Sequence, residues 1–357
     1  MKYGVSFLPD VGPEDLHPST YFDNVLAISV AADELGLSYV KMTEHYLHQY
    51  GGYCPNPFTF LAAVAAKTRH IRLMTGCTLP NFHHPVKTAS YATMVDAISH
   101  GRLEVGFARA YLPFEFDAFG IPMNGSRNRF TETVEAITGL WDSSDFSMTG
   151  ESFDISNATV LPRPVQADGI PTLIAAVRTP ESFVAIGRGG HGLLVTPGGL
   201  EAPVDLVASY REAFVPRRTA VPEARVVISL PLLIDDDADR AVDVADAALS
   251  DYLRVWVDAV TAWDNRSSTD YRSYSGMARF LSLMSGPELR MSGSAVVGDP
   301  QEVVDQIVEL DERFGGLDAI LWQLDYGNLP LGSALRTLGL FHSDVLPKLP
   351  ERLRTTP

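Results

Sequence analysis

The chain has 357 residues, 46% of them hydrophobic and 20% charged, a balance that supports a large buried core. With 44 acidic against 28 basic residues it carries a formal charge of −16. That field, without a local basic patch to oppose it, repels a phosphate backbone and argues against nucleic acid as a partner. No apolar run reaches the roughly eighteen residues of a membrane span, and the N-terminus lacks the apolar region and cleavage site of a signal peptide. Two cysteines, Cys54 and Cys77, allow at most one bridge and match no metal spacing, so a reducing cytoplasm is the expected compartment.

Short β-rich runs alternate with longer amphipathic segments along the chain. Lys2–Leu8 reads as a strand, and Tyr21–Leu35 as a helix stopped by Gly36. Leu37–Thr43 is the second strand; Asn56 and Pro57 then open a helix, with proline in the first turn where its missing N–H costs little. Ile71–Leu79 is a strand, Val86–Ser99 a helix ended by Gly101, and Arg102–Phe107 the fourth strand. Arg127–Trp141 is helical, with Phe130, Val134, Ile137 and Leu140 on one face. Residues 142–169 form an excursion. Pro171–Ala176, Gly192–Thr196, Val226–Ile234 and Ala319–Gln323 complete eight strands. Eight strands in β–α order predict one (β/α)₈ barrel, although an open doubly wound sheet shares the local pattern. The Ser-, Gly- and Arg-rich stretch 264–294 breaks the rhythm between the seventh helix and the eighth strand and is expected to be a lid or mobile insertion. No second domain or short-period repeat is evident.

In such a barrel chemistry collects where strands end at the C-terminal mouth. Glu44, His45, Gly76, Cys77, Arg109 and Val177–Thr179 fall there. His45 follows the second strand, where an imidazole can exchange a proton or hydrogen-bond an anionic intermediate; a histidine that only ties down its loop would occupy the same place. Arg109 closes the fourth strand, and its planar fork suits a phosphate, though a surface ion pair is the commoner role of an arginine. Arg127 opens the next helix and could converge on the same anion, with Arg129 as a competitor. The segment 175–182 runs from a strand into a helix N-terminus, whose free N–H groups favour an anion. His83 and His84 are adjacent and point apart, which argues against joint chelation, and no metal site is expected. Cys77 lies in an apolar strand and reads as a packing residue. No GxSxG elbow is present.

Taken in order, KYGVSF at 2–7, Thr43-Glu44-His45, PNPF at 55–58, TGCTLPNFHHPV at 75–86, GRLEVGFARAYLPFEFDAFGIP at 101–122, RPVQ at 163–166, AAVRTPES at 175–182 and VVGDPQEVVDQI at 296–307 resemble the bacterial luciferase-like flavin-dependent monooxygenase superfamily. Each segment alone is weak, but the ordered set covers nearly the whole chain. The resemblance implies a TIM barrel that takes reduced FMN from a separate reductase and forms a flavin C4a-(hydro)peroxide with O₂, which oxygenates a small, largely apolar substrate. It implies that His45 is catalytic and that Glu44, its acidic neighbour, orients it or its loop. It assigns the flavin phosphate to Arg109, Arg127 and the backbone N–H groups of Val177 and Arg178 with those of Glu181 or Ser182. It places Gly76–Cys77 against the flavin ring at a non-proline cis peptide.

Two departures stand out. Ala108 replaces a reactive cysteine of bacterial luciferase, and Val177-Arg178-Thr179 lacks the serine common in the phosphate turn. The anion candidates also sit after strands four and five, whereas barrels more often hold phosphate after strands seven and eight. Leu112, Pro113, Phe114, Phe116 and Phe119 are expected to form an apolar rim that, with the lid, excludes water. A homodimer is implied. Two alternatives stay open: hydride transfer with the deazaflavin F420 on the same fold, and a non-catalytic flavin-binding subunit.

Overall fold

In a computed structural model, which describes residues 1–195, 203–274 and 276–354, the expected barrel closes. Its staves are β1 (Lys2–Phe7), β2 (Tyr39–Met42), β3 (Arg72–Thr78), β4 (Leu103–Phe107), β7 (Thr172–Ala176), β8 (Gly192–Val195), β9 (Val226–Ile234) and β11 (Ala319–Gln323). All pair in parallel, and the β11–β1 and β8–β9 pairings complete the ring. The expected strand boundaries shift by a residue or two; Thr196, assigned to the sixth stave, lies outside the described residues. Closure rules out the doubly wound sheet.

The crossover helices start where the sequence supplies caps. α1 (Pro18–Glu34) begins on proline, and in α2 (Pro57–Lys67) the Asn56 side chain accepts the Thr59 N–H ahead of Pro57. α3 (Pro85–Ile98), the short α4 (Pro113–Phe119) and α5 (Ser126–Asp142) follow. The 142–169 excursion contains an antiparallel hairpin, β5 (Phe146–Thr149) with β6 (Asp154–Ala158). α6 (Pro180–Arg188) and α7 (Val204–Ala213) flank β8.

The stretch between β9 and β11 departs from the expected layout. α8 (Ala238–Val260) is long and amphipathic, but its buried face (Ala241, Ala245, Ala248, Leu249, Tyr252) packs with Tyr50, Leu79, Ala110 and Phe116 above the mouth. The helix that returns the chain along the barrel wall is α11 (Pro300–Arg313), whose Val303, Ile307 and Leu310 join the strand-facing core. It starts at a capping box between Asp299 and Glu302, just after the short strand β10 (Val296–Gly298). The excursion over the mouth therefore begins with α8, ahead of the stretch 264–294 expected as a lid, and carries α9 (Met277–Leu281) and α10 (Gly286–Leu289). It precedes the seventh crossover helix, which explains its place at the catalytic end. α12 (Leu331–Leu340) closes the ring. No helix among the described residues is long and apolar enough to cross a membrane.

The barrel interior is sealed low down by Glu104, which accepts from Arg72 Nε at 2.6 Å and Arg225 Nη2 at 3.1 Å. Burial raises its pKa, but Arg225 and Arg72 outweigh burial and hold it below the usual carboxylate value. Nearby, His191 Nδ1 lies 2.8 Å from Thr172 Oγ1, and burial followed by the Arg218 charge pushes the imidazole down to about 4. A depressed histidine means that the folded state binds fewer protons. Its contribution is complete above about pH 6.5 and is lost as pH falls toward 4, a span worth about 3 kcal/mol. His191→Gln, followed by circular dichroism during acid titration, should therefore unfold at lower pH than the parent. An unchanged acid midpoint would remove His191 as an acid trigger.

Candidate active site

The chain leaves β2 through Thr43, whose hydroxyl donates to the Gly76 carbonyl at 2.7 Å, while Glu44 N–H donates to the Cys77 carbonyl at 3.1 Å. These bonds lock the Thr43-Glu44-His45 corner onto the end of β3. The Gly76–Cys77 peptide is cis, as the resemblance implied. Glycine is required at 76 because a Cβ there would lie 2.2 Å from the Lys41 stem. It is also required at 51, where φ is +80° and a Cβ would come within 2.6 Å of His45.

His45 is buried, and its Nδ1 lies 3.0 Å from Glu115 Oε1. The same oxygen accepts the Tyr46 N–H at 2.9 Å. Glu115, on α4, is fully buried, so a carboxylate seventy positions from the histidine in sequence sets the ring plane and leaves Nε2 for the cavity. Of the two roles expected of Glu44, orienting the histidine or positioning its loop, its contacts match the second. Glu44 makes no bond to His45 and accepts instead from Thr78 Oγ1 at 2.5 Å, Tyr46 OH at 2.7 Å and His83 Nε2 at 2.7 Å. It fastens the loop, and His83 is one of its partners.

Glu44 and His45 both line a cavity of about 850 Å³ that runs from the barrel mouth into the groove between α5 and α6. Gly76, Cys77, Arg109, Arg127, Val177, Arg178 and Ser182 line it too, so nearly the whole expected set converges. Glu181 does not; it is exposed on the outer side of the α6 turn. The Ser182 N–H is already spent on the Thr179 carbonyl at 2.9 Å, which leaves its hydroxyl as the group facing the site. Burial pushes the Cys77 thiol up to about 12, in keeping with a packing role.

Arg127 Nη1 donates to Ser182 Oγ at 3.2 Å, whereas Arg129 turns away to the Asn81 carbonyl. Of the two arginines, only Arg127 lines the cavity. Arg109 lies 4.1 Å above the Tyr271 ring and donates through Nη2 to the Asp270 carbonyl at 3.0 Å. Its Nη1 is buried with no partner among the described residues. An orphaned guanidinium N–H, Arg127 on a neutral hydroxyl, Arg178 and the N-terminus of α6 form a donor set that fits a phosphate monoester.

The apolar wall differs from the expected one. None of Leu112, Pro113, Phe114, Phe116 and Phe119 lines the cavity. Phe116 and Phe119 pack behind it against Phe82, at 5.0 and 4.7 Å between ring centroids. Tyr50, Tyr111, Tyr252, Trp256 and Tyr274 form the wall instead. They come from the loop after β2, the loop after β4, α8 and the lid, and no single run of sequence announces them. Trp256 Nε1 donates to Tyr111 OH at 3.2 Å and stacks with Tyr50 at 6.4 Å.

The chain is similar to known proteins over most of its length. The family model described as luciferase-like monooxygenase matches residues 1–316. The crystal structure of monooxygenase RslO1 from Streptomyces bottropensis is 36% identical, covering 97% of this chain and 99% of that one at a TM-score of 0.83. The oxygenase component of the flavin-dependent trigonelline monooxygenase of Acinetobacter baylyi is 34% identical over a stretch covering 49% of each chain. An F420-dependent glucose-6-phosphate dehydrogenase of Amycolatopsis mediterranei is 27% identical over 95% of each.

Proposed function

This chain belongs to the luciferase-like monooxygenase family, and from that premise we propose that it is the oxygenase component of a two-component system that uses reduced FMN from a separate reductase and O₂ to oxygenate a small, largely apolar molecule. The observation that carries the reading is convergence. His45 held by Glu115, the cis Gly76–Cys77 strand end and the Arg127–Ser182 pair share one cavity. Reduced flavin, when bound, supplies the electrons that activate O₂. Arg127, Arg178 and the Ser182 hydroxyl would hold its phosphate, and Gly76–Cys77 would bear its ring. His45 Nε2 presents a hydrogen-bonding and proton-transferring group to the reacting molecules, with Glu115 fixing the ring on the opposite nitrogen. The five aromatic side chains shed water from the substrate side. The reading carries a homodimer, supported by the exposed stripe Tyr91, Met94 and Ile98 on α3, and a reducing cytoplasm, in keeping with two free cysteines.

Similarity to an F420-dependent dehydrogenase across nearly the whole chain favours a second reading, hydride transfer without oxygen. Anaerobic loading with chemically reduced FMN, and separately with reduced F420, tests both. Tight binding of reduced FMN and slowed reoxidation on mixing with O₂, relative to free reduced FMN, is the expected result. Binding and oxidation of reduced F420 alone, at a rate indifferent to O₂, would overturn the oxygenase reading.

A further inference from the structure

Lys41 lies on β2, inside the barrel, on the floor of the same cavity. It is 5% exposed, and its stem crosses the face of Gly76 that lacks a Cβ. Its ammonium makes one long hydrogen bond, 3.4 Å to Ser229 Oγ, and Ser229 in turn donates to Ser6 Oγ at 3.0 Å. No carboxylate pairs with it among the ion pairs of the described residues. The acidic groups whose charge reaches it are the Cys77 thiol, which burial keeps protonated, and Asp325, already engaged by Tyr21 OH at 2.8 Å and the Leu8 N–H at 3.3 Å. Burial pushes Lys41 down to about 8, so at neutral pH it stays charged at a cost in stability. A buried cation with no carboxylate in contact, in a cleft, has the signature of a group waiting for an anion.

We propose that the Lys41 ammonium selects the reduced, anionic form of the bound flavin over the neutral oxidised form. The inference rests on the flavin reading above. The oxidised isoalloxazine carries no net ring charge, whereas the reduced ring readily gives up the N1 proton and spreads the negative charge over its pyrimidine edge. A cation beside the Gly76–Cys77 strand end stabilises only the latter. For an oxygenase that receives its flavin already reduced, this discrimination favours loading with the useful form and release of the spent one.

The test uses the full chain and FMN alone, without substrate, so that an anionic substrate cannot supply the effect. Binding of oxidised FMN is followed by fluorescence quenching, binding of reduced FMN anaerobically, and the potential of bound FMN by dye equilibration. In Lys41→Met the oxidised form should bind within about threefold of the parent. The reduced form should weaken about tenfold, which lowers the two-electron potential by about 30 mV. Lys41→Gln, which keeps a polar end, should behave alike and serves if the methionine variant does not fold. Parallel changes in both affinities, or no change in their ratio, would overturn the role of Lys41 while leaving the flavin reading intact. A parent protein that binds neither form would overturn both.

Discussion

Replacing His45 by alanine is expected to lower product formation by about 10²- to 10⁴-fold while FMN affinity stays within about threefold, because a positioned proton-transfer group contributes on that scale and does not hold the nucleotide. The separation follows from geometry. His45 Nδ1 is taken by Glu115 at 3.0 Å, so its chemistry is delivered through Nε2, whereas the phosphate donors Arg127 and Ser182 belong to α5 and α6. Glu115→Gln is the companion variant. The amide retains the shape and one acceptor but withdraws the carboxylate from the ring, and Glu115 is fully buried, so water cannot substitute for it. As a positioning residue, Glu115 should then cost about 10- to 100-fold in kcat with little change in substrate KM, the split expected when an interaction matters only in the transition state. Saturating reduced FMN from a reductase, with product quantified against O₂ consumed, gives kcat; fluorescence titration gives FMN affinity. Turnover by His45→Ala near the parental rate would withdraw the catalytic role. A uniform loss of kcat and FMN binding in Glu115→Gln would reduce that residue to a structural prop.

The second large effect belongs to Arg127. Arg127→Ala should weaken FMN binding by about 10- to 100-fold, the value of one or two hydrogen bonds to a charged group, and leave riboflavin binding unchanged. Riboflavin lacks the phosphate, so the pair of titrations isolates the anion. Arg129→Ala is the internal control, since its guanidinium turns to the Asn81 carbonyl outside the cavity. Arg109 is already stacked on Tyr271 and bound to the Asp270 carbonyl, leaving one orphaned N–H. Its truncation would disturb the lid contact as well as the ligand, so Arg127 is the cleaner probe. Equal losses for FMN and riboflavin would place Arg127 on the ring or in the fold and remove it from the phosphate site.

The history of Glu44 and Glu115 shows how much of the site was legible beforehand. Adjacency in sequence leaves Glu44 two roles, steering His45 or fastening its loop, and neighbours that leave a strand point in different directions. Glu44 turned to Thr78 and His83, and the histidine took its partner from a helix seventy positions on. Nothing local marks Glu115, which sits in a Phe-rich turn that reads as apolar rim. The aromatic wall was missed for a similar reason: Tyr50, Tyr111, Tyr252 and Tyr274 are isolated tyrosines on four segments. Lys41 was read only as one residue of the second strand. Composition marks 264–294 as irregular, but α8 has the periodicity of any surface helix, and only its packing shows that it faces the mouth.

By itself, the sequence determined the eight β–α units and which residues end their strands. Hydrophobic period, caps and strand count are local properties, and a strand that ends at the catalytic face carries its last residues there whatever surrounds it; hence His45, Gly76 and Arg109 are assigned to strand ends, and Arg127 to the start of the next helix, from the sequence. Only the tertiary structure decided who touches whom. Closing the ring brings the loop after β2 against α4 and Lys41 of β2 to Ser229 of β9, and such contacts depend on distances through space that no spacing along the chain encodes. Glu115 behind the imidazole and a lysine without a carboxylate on the cavity floor are products of that closure.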